Sequence, residues 1–277
     1  MPIIHPTAIV DSGAKIADDV KIGAFCVVEA DTEIGPGCEL MQHAVIRRYT
    51  TMGEGNLVDS FCVLGGLPQD LKFDPAARTH LRIGKGNRFR EGVTISRATR
   101  PLGATVVGDF GYWMANSHAG HDATIGDNVI LANSAAAGGH VTLGDRVILS
   151  GGAMVHQFCW VGEMVMTQGL AGLTCHVPPF TLVANISGMI GLNSVGLRRN
   201  PQITDEDRRQ IKRAFHLTYD AGQTAAKALA EMDTWADISP AALRYREFIR
   251  AVLTAEPPFK RGLCPLRRLR GRAGGAV

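Results

Sequence analysis

A chain of 277 residues with 45% hydrophobic residues can fill one long domain, or one large and one small. Aromatic residues make up only 6%, and the six cysteines are scattered with no Cys-x-x-Cys pair. Small buried thiols in a reducing compartment are therefore expected, not disulfides or a metal framework. The net charge of +3 marks no nucleic-acid module, no apolar run approaches the ~20 residues of a membrane helix, and Met1 stands too near the first repeat for a signal peptide; a soluble cytoplasmic protein is expected.

From Ile4 an aliphatic residue returns at every sixth position: Ile4, Val10, Ile16, Ile22, Val28, Ile34, Leu40, Ile46, Met52, Val58 and Leu64. The beat resumes with Ile83, Phe89 and Ile95, then runs from Val107 to Leu173 with a slip at Thr167. A period of six fits neither an α-helix nor a long alternating strand. It is the period of a parallel β-helix, in which each hexad gives one short strand and one turn. Three hexads close a triangular coil, so residues eighteen apart stack about 4.8 Å from one another. The position after the aliphatic is often Gly or Asp (Gly23, Gly35, Gly53, Gly84, Gly126, Gly144, Gly162; Asp11, Asp59), where a turn with positive φ is expected.

Two segments interrupt the beat, Gly65 to Arg82 and about Arg97 to Val106. Loops expelled from a rigid solenoid tend to lie on its binding face. The repeat stops at Val177-Pro178-Pro179-Phe180, since proline cannot donate to a strand ladder. Residues 1–183 therefore form the β-helix and 184–199 a connection.

Over 200–256 the pattern turns helical. Thr204-Asp205-Glu206-Asp207 reads as a capped helix start, followed by a stripe of Ile211, Ala214, Phe215 and Leu217 or Tyr219. Ser239-Pro240 reads as a second start, leading into Leu243, Phe248, Ile249 and Val252. This small helical domain is expected to cap the end of the prism. Residues 257–277, with Lys260, Arg261, Arg267, Arg268, Arg270 and Arg272 and no acid among them, read as a basic, flexible tail.

The coil arithmetic gathers four histidines. His121, Gly139 and Gln157 fall in one column, His140 and His156 lie to either side of it, and His118 stands three residues before His121. Taken singly, these are ordinary exposed corner residues. Clustered, they suit either of two chemistries. Neutral imidazoles are common zinc ligands, as in hexapeptide γ-carbonic anhydrases. Alternatively one imidazole takes a proton from a hydroxyl nucleophile while a glycine N–H in the next coil meets the developing oxyanion. His121 beneath Gly139 favours the second, an acyl transfer without an acylated serine or cysteine.

Six segments, in this order, carry a more specific signal: Ile4-His5-Pro6-Thr7-Ala8, Pro68-Gln69-Asp70-Leu71-Lys72, Asn116-Ser117-His118-Ala119-Gly120-His121-Asp122, Ala137-Gly138-Gly139-His140-Val141, Val155-His156-Gln157-Phe158 and Gly191-Leu192-Asn193-Ser194-Val195-Gly196-Leu197-Arg198-Arg199. From His5 to Arg199, and more weakly to Val252, the chain resembles the UDP-N-acetylglucosamine O-acyltransferases that begin lipid A biosynthesis. The resemblance implies a left-handed parallel β-helix followed by a small C-terminal α-helical domain, assembled as a homotrimer with clefts between subunits and no cofactor or metal. It implies a 3-hydroxyacyl donor on acyl carrier protein and, as acceptor, the 3-position of a UDP-sugar.

In that resemblance His121 is the general base and the Gly139 amide faces the thioester oxygen. Gln69, Asp70 and Lys72 contact substrate from the loop, and His118, His140, His156 and Gln157 line the cleft. Asn193 and Arg199 stand near the nucleotide and its phosphates, and Gly169 leaves room for a longer acyl chain. Two stretches depart from the family pattern: Ala184-Asn185-Ile186-Ser187-Gly188 is shortened, and Asn200-Pro201 replaces a further basic residue and glycine. N-acylation of a 3-amino sugar, or service to another glycan, stays open on these departures. A metal-dependent hydratase and a non-catalytic trimeric scaffold are the readings from other classes.

Overall fold

The structure is a computed structural model that describes residues 1–267. Each hexad forms a two-residue strand and a turn, as at Ile3–Ile4, Ile9–Val10 and Lys15–Ile16. Successive turns of chain stack into a left-handed prism with three faces, sheets of 11, 9 and 8 strands. Among the described residues all strand pairs are parallel except the last, where Gly188–Leu192 returns antiparallel along Thr181–Ala184. Tyr112 pairs with Ile130 and Ile130 with Ile148, the eighteen-residue step. At the interruptions Leu57 pairs with Arg88 and Arg88 with Tyr112, steps of 31 and 24 positions. The sheets hold register while the surplus chain is pushed out at one corner.

The aliphatic beat is the core. Along one face Val28, Ile46, Leu64, Ile95, Ala119, Ala137, Val155 and Leu173 all point inward and are buried. A fully buried aliphatic side chain of this kind contributes about 1.5–3 kcal/mol. The large Trp113 shares its coil with the small Ala119, and both are fully buried. Thr167, where the beat slips, is inward and buried, and its hydroxyl accepts the Ser150 N–H at 2.9 Å.

The glycine expectation is corrected. Positive φ falls three residues after the aliphatic, at Phe25, His43, Asp122, His140 and Phe158 among others. Gly35 and Gly144, directly after it, have no positive φ. A Cβ there would stand 2.8 Å from the Gly53 carbonyl carbon and 2.6 Å from the Glu163 nitrogen. Those glycines answer to the close approach of neighbouring coils, not to turn conformation.

Four helices follow: α1 (Ser194–Arg199), α2 (Asp205–Tyr219), α3 (Ala225–Asp233) and α4 (Pro240–Leu253). Thr204 and Asp207 form a reciprocal capping box, and Ser239 accepts the Ala242 N–H ahead of Pro240. Ile211, Ala214, Phe215 and Leu217 are buried as expected, but Leu243 is 36% exposed and the fully buried Tyr245 takes its place. The helices pack on Met164 and Phe180 of the last coils. Segment 184–199, expected as a connection, contains both a strand and α1.

The first half of the expected tail is not loose. Leu263 bridges to His176 and Leu266 to Met189, and Cys264 is fully buried. His176 is itself buried, accepting the Trp160 N–H at 2.9 Å on Nδ1 and bonding the Phe259 carbonyl through Nε2 at 2.7 Å. Arg268, Arg270 and Arg272 lie outside the described residues. No helix among the described residues is long and apolar enough to cross a membrane.

Candidate active site

Both interruptions leave the prism at the corner that carries the histidines, so the loops lie over that corner. There a cleft of about 520 Å3 gathers Gln69, His118, His121, Gly139, His156 and Gln157. His118 is on a strand paired with Ala136, while His121 and Gly139 are at turns of successive coils. A larger hollow, about 900 Å3, lies between the prism and α4, and its lining of Asp127, Asp145, Arg146, Glu163, Arg244 and others contains no histidine. The histidine cluster expected from the sequence therefore gathers at the smaller cleft.

His121 is held from behind. Its Nδ1 lies 2.8 Å from Asp122 Oδ2, and this oxygen also accepts the Thr99 hydroxyl at 2.7 Å and the Thr99 N–H at 3.1 Å. With Nδ1 donating to the carboxylate, Nε2 is left as the acceptor. Burial pushes the Asp122 carboxyl up, but the bonds from His121 and Thr99 outweigh it and hold it at about 2. A carboxyl lowered in this way stabilises the fold above the ordinary carboxylate range, and that contribution is lost as pH falls through about 2. Burial pushes the imidazoles of His118 and His140 down, so both are neutral near pH 7.

Gly139 meets the His121 ring directly. A Cβ at Gly139 would lie 2.8 Å from both Cε1 and Nε2 of His121. Among the described residues the Gly139 N–H has no acceptor, while its neighbour His140 donates to the His121 carbonyl at 2.9 Å. The imidazole thus packs over the α-carbon of Gly139 in the next coil, whose N–H is free among the described residues.

His140 stands outside the cleft lining, its ring edge-on to that of His121 with centroids 5.1 Å apart. Its Nε2 is 3.7 Å from Asp122 Oδ2, and its ring stacks on Phe158 with centroids 4.7 Å apart. Phe259, from the C-terminal segment, packs edge-on against Phe158 at 5.4 Å. His121, Asp122 and His140 place donor atoms within 4.8 Å of one another, the one such group among the described residues. The 2.8 Å separation of Nδ1 and Oδ2 is a hydrogen-bond length, whereas two donors on one zinc ion stand roughly 3.2 Å apart at ~2.0 Å bonds. This is the spacing of a hydrogen-bonded dyad.

Besides His140, five expected site residues lie off the cleft of a single chain. Asp70 and Lys72 are exposed in the loop, where Asp70 Oδ1 accepts the Lys72 N–H at 2.9 Å. Gly169 is exposed at a different corner, beside Leu170. Arg199 is exposed at the end of α1. Asn193 is spent structurally: it caps α1 by accepting the Gly196 N–H, and its amide donates to the Met164 carbonyl, both at 2.9 Å. Ser96, Met154 and Thr174 line the cleft without having been singled out. Thr174 follows His156 by one coil step, so the register would have found it.

A hexapeptide prism with this corner is that of a bacterial-type hexapeptide transferase, and residues 13–48 match the family model described as bacterial transferase hexapeptide (six repeats). Residues 176–264 match the model for UDP-N-acetylglucosamine O-acyltransferase, domain 2. An acyl-[acyl-carrier-protein]–UDP-N-acetylglucosamine O-acyltransferase from Syntrophobacter fumaroxidans is 42% identical over 242 residues, covering 85% of this chain and 93% of the relative. Its namesake from an Anaeromyxobacter species is 40% identical over 232 residues, covering 83% and 90%. The crystal structure of UDP-N-acetylglucosamine O-acyltransferase from Moraxella catarrhalis superposes with a TM-score of 0.88 at 33% identity, covering 94% of this chain and 99% of that one. The chain belongs to the acyl-[acyl-carrier-protein]–UDP-N-acetylglucosamine O-acyltransferase family.

Proposed function

We propose that this protein transfers a 3-hydroxyacyl chain from acyl carrier protein to the 3-hydroxyl of UDP-N-acetylglucosamine, the opening step of lipid A biosynthesis. The observation that carries the proposal is His121, bonded to Asp122 through Nδ1 and packed against Gly139, whose N–H has no acceptor among the described residues. His121 Nε2 removes the proton from the acceptor hydroxyl as its oxygen attacks the thioester carbonyl. The carbonyl oxygen takes up the negative charge and is met by the Gly139 N–H. Collapse breaks the carbon–sulfur bond, and the imidazolium returns its proton to the departing thiolate, giving an ester and a free carrier thiol. Asp122 stays ionised throughout and stabilises the imidazolium.

The acceptor and the acyl chain lie in a cleft completed by a neighbouring copy in a homotrimer. This arrangement gives Asp70, Lys72, Arg199 and Gly169, which lie off the single-chain cleft, a place in the site, while the side chain of Asn193 stays committed to α1 and Met164. Mass spectrometry of products from mixed 3-hydroxyacyl carriers, offered UDP-N-acetylglucosamine and its 3-amino analogue in competition, tests the reading. The ester of the first is the expected product. An amide of the second as the main product would move the protein to the N-acylating alternative that the altered stretches at 184–188 and 200–201 keep open.

The acidic carrier is held by basic surface. Arg208, Arg209, Arg213, Arg244, Arg246 and Arg250 on the helices are each paired with an acid. Among the described residues Arg198, Arg199, Lys212, Lys227, Lys260 and Arg267 form no such pair. Lys260 and Arg267 are stronger candidates than a loose tail would be, because the Arg267 N–H and, two residues past Lys260, the Gly262 carbonyl already bond the prism. The KM for the carrier is expected to rise steeply between low and physiological salt while that for the sugar nucleotide changes little. A carrier KM that stays flat across the titration would remove this role from the basic surface.

A further inference from the structure

The two expelled segments are tied to each other before either reaches the cleft. The Leu102 N–H donates to the Arg78 carbonyl at 2.9 Å, the His80 N–H to Gly103 at 2.9 Å, and the Ala98 N–H to His80 at 3.2 Å. At the root of the second segment Arg97 is only 4% exposed. Its N–H donates at 2.9 Å to the carbonyl of Gly66, where the first segment leaves the sheet. Its guanidinium donates from Nη2 to the Pro75 carbonyl at 3.3 Å and covers the rings of Tyr49 and Phe73, 5.1 and 5.6 Å from their centroids. Among the described residues it has no carboxylate partner, and its Nε is buried without an acceptor. A buried cation without a counter-ion is costly, and an apolar side chain would fill the space at less expense. What the guanidinium supplies is a planar strut between the prism corner and the middle of the first loop.

Two residues further on, Thr99 grips the other side of the site. Both its hydroxyl and its N–H end on Asp122 Oδ2, the oxygen that orients His121. One short segment therefore holds the loop bearing Gln69, Asp70 and Lys72 with Arg97 and the carboxylate behind the base with Thr99. We infer that Arg97 and Thr99 are positioning residues, a brace that couples the seating of the acceptor under the first loop to the orientation of the His121–Asp122 dyad. This rests on the acyl-transfer reading of the cleft. Removing the Thr99 hydroxyl deprives Asp122 of its shortest contact and frees the carboxylate to turn, which misdirects His121 Nε2. Removing the guanidinium releases the loop at Pro75 and Phe73, which loosens the acceptor's enclosure but leaves the donor's path alone.

The test is a double-mutant cycle with Thr99→Val and Arg97→Met. Thr99→Val keeps shape and backbone donor; it is expected to lower kcat by ~10- to 100-fold, the usual cost of losing an orienting partner, with acceptor KM little changed. Thr99→Ser should restore the rate. Arg97→Met is expected to raise the acceptor KM about tenfold with the carrier KM unchanged, and to speed amide exchange across residues 67–79 but not in the sheets. Because the two act as one brace, the loss in kcat/KM of the double variant should fall well short of the product of the single losses. Multiplying losses, wild-type kinetics in either single variant, or exchange that accelerates throughout the prism would overturn the inference, the last by making Arg97 a plain stability residue. Failure of the underlying reading looks different: the wild-type protein would then give no acylated sugar, or would give it equally after His121→Ala.

Discussion

His121→Ala is expected to cut kcat by at least ~10²-fold, toward the 10⁴-fold upper range of general-base assistance, while thermal stability changes little. The ring contributes one bond to Asp122, and the carboxylate keeps both Thr99 donors when it is gone, so no buried charge is stranded. Binding of both substrates should survive, since Gln69, His118, His156 and Gln157 line the cleft independently. Single-turnover rates measured beside calorimetric binding check this. Residual turnover above roughly a tenth of wild type would exclude the general-base role, whose lower limit is ~10²-fold. Loss of a bound metal in the variant would point instead to the hydratase alternative, and dissolution of the assembly with chemistry intact to a scaffold.

Gly139→Ala should be nearly as damaging, although it only replaces one α-hydrogen by a methyl group. The new methyl would stand 2.8 Å from Cε1 and Nε2 of His121, inside any real carbon contact. Gly139 has no positive φ, so its backbone accommodates alanine without strain and only the imidazole has to yield. The ring is tethered at Nδ1 and therefore tilts away from the place where, in the proposed reaction, Nε2 meets the acceptor hydroxyl. A displacement near 1 Å at a reacting centre costs about 10²-fold, so kcat should fall by that order with the melting temperature within a few degrees of wild type. The decisive measurement is kcat for the two alanine variants and their combination. Since both act on one imidazole, the double variant should be scarcely worse than His121→Ala, and an additional hundredfold loss would show that Gly139 acts on its own account.

The prism was legible because its period is strict. Ile46, Leu64, Ala119 and Leu173 could be placed in the core by counting, and the same counting put His121, Gly139 and Gln157 on one corner. The counting misjudged the glycines: a sequence shows that Gly35 is small but not whether smallness serves φ or the approach of Gly53. Where the beat lapses there is no ruler. Thr99 lies in an expelled segment, and nothing in its spacing from Asp122 announces that it holds the carboxylate. The packing of Phe259 against Phe158 was equally hidden, since a run of basic residues reads as solvated chain until Leu263 and Leu266 are seen bridging to His176 and Met189. Leu243 and Tyr245 exchanged places because a helix of this length presents two plausible stripes, and only the position of Met164 and Phe180 chooses between them.

The unequal steps between coils have a consequence for how such a site changes over generations. Strands Leu57–Val58, Arg88–Phe89 and Tyr112–Trp113 remain in register although 31 and then 24 positions separate partners that are eighteen apart in the uninterrupted coils on either side. Length added at this corner is therefore absorbed outside the scaffold, and neither the aliphatic column nor the meeting of His121 with Gly139 is shifted by it. Ordinary enzymes remodel their pockets chiefly by exchanging side chains on a fixed outline. Here insertion and deletion form a second channel of variation, insulated from folding, through which the wall facing the acceptor can be rebuilt while the reacting groups are inherited unchanged.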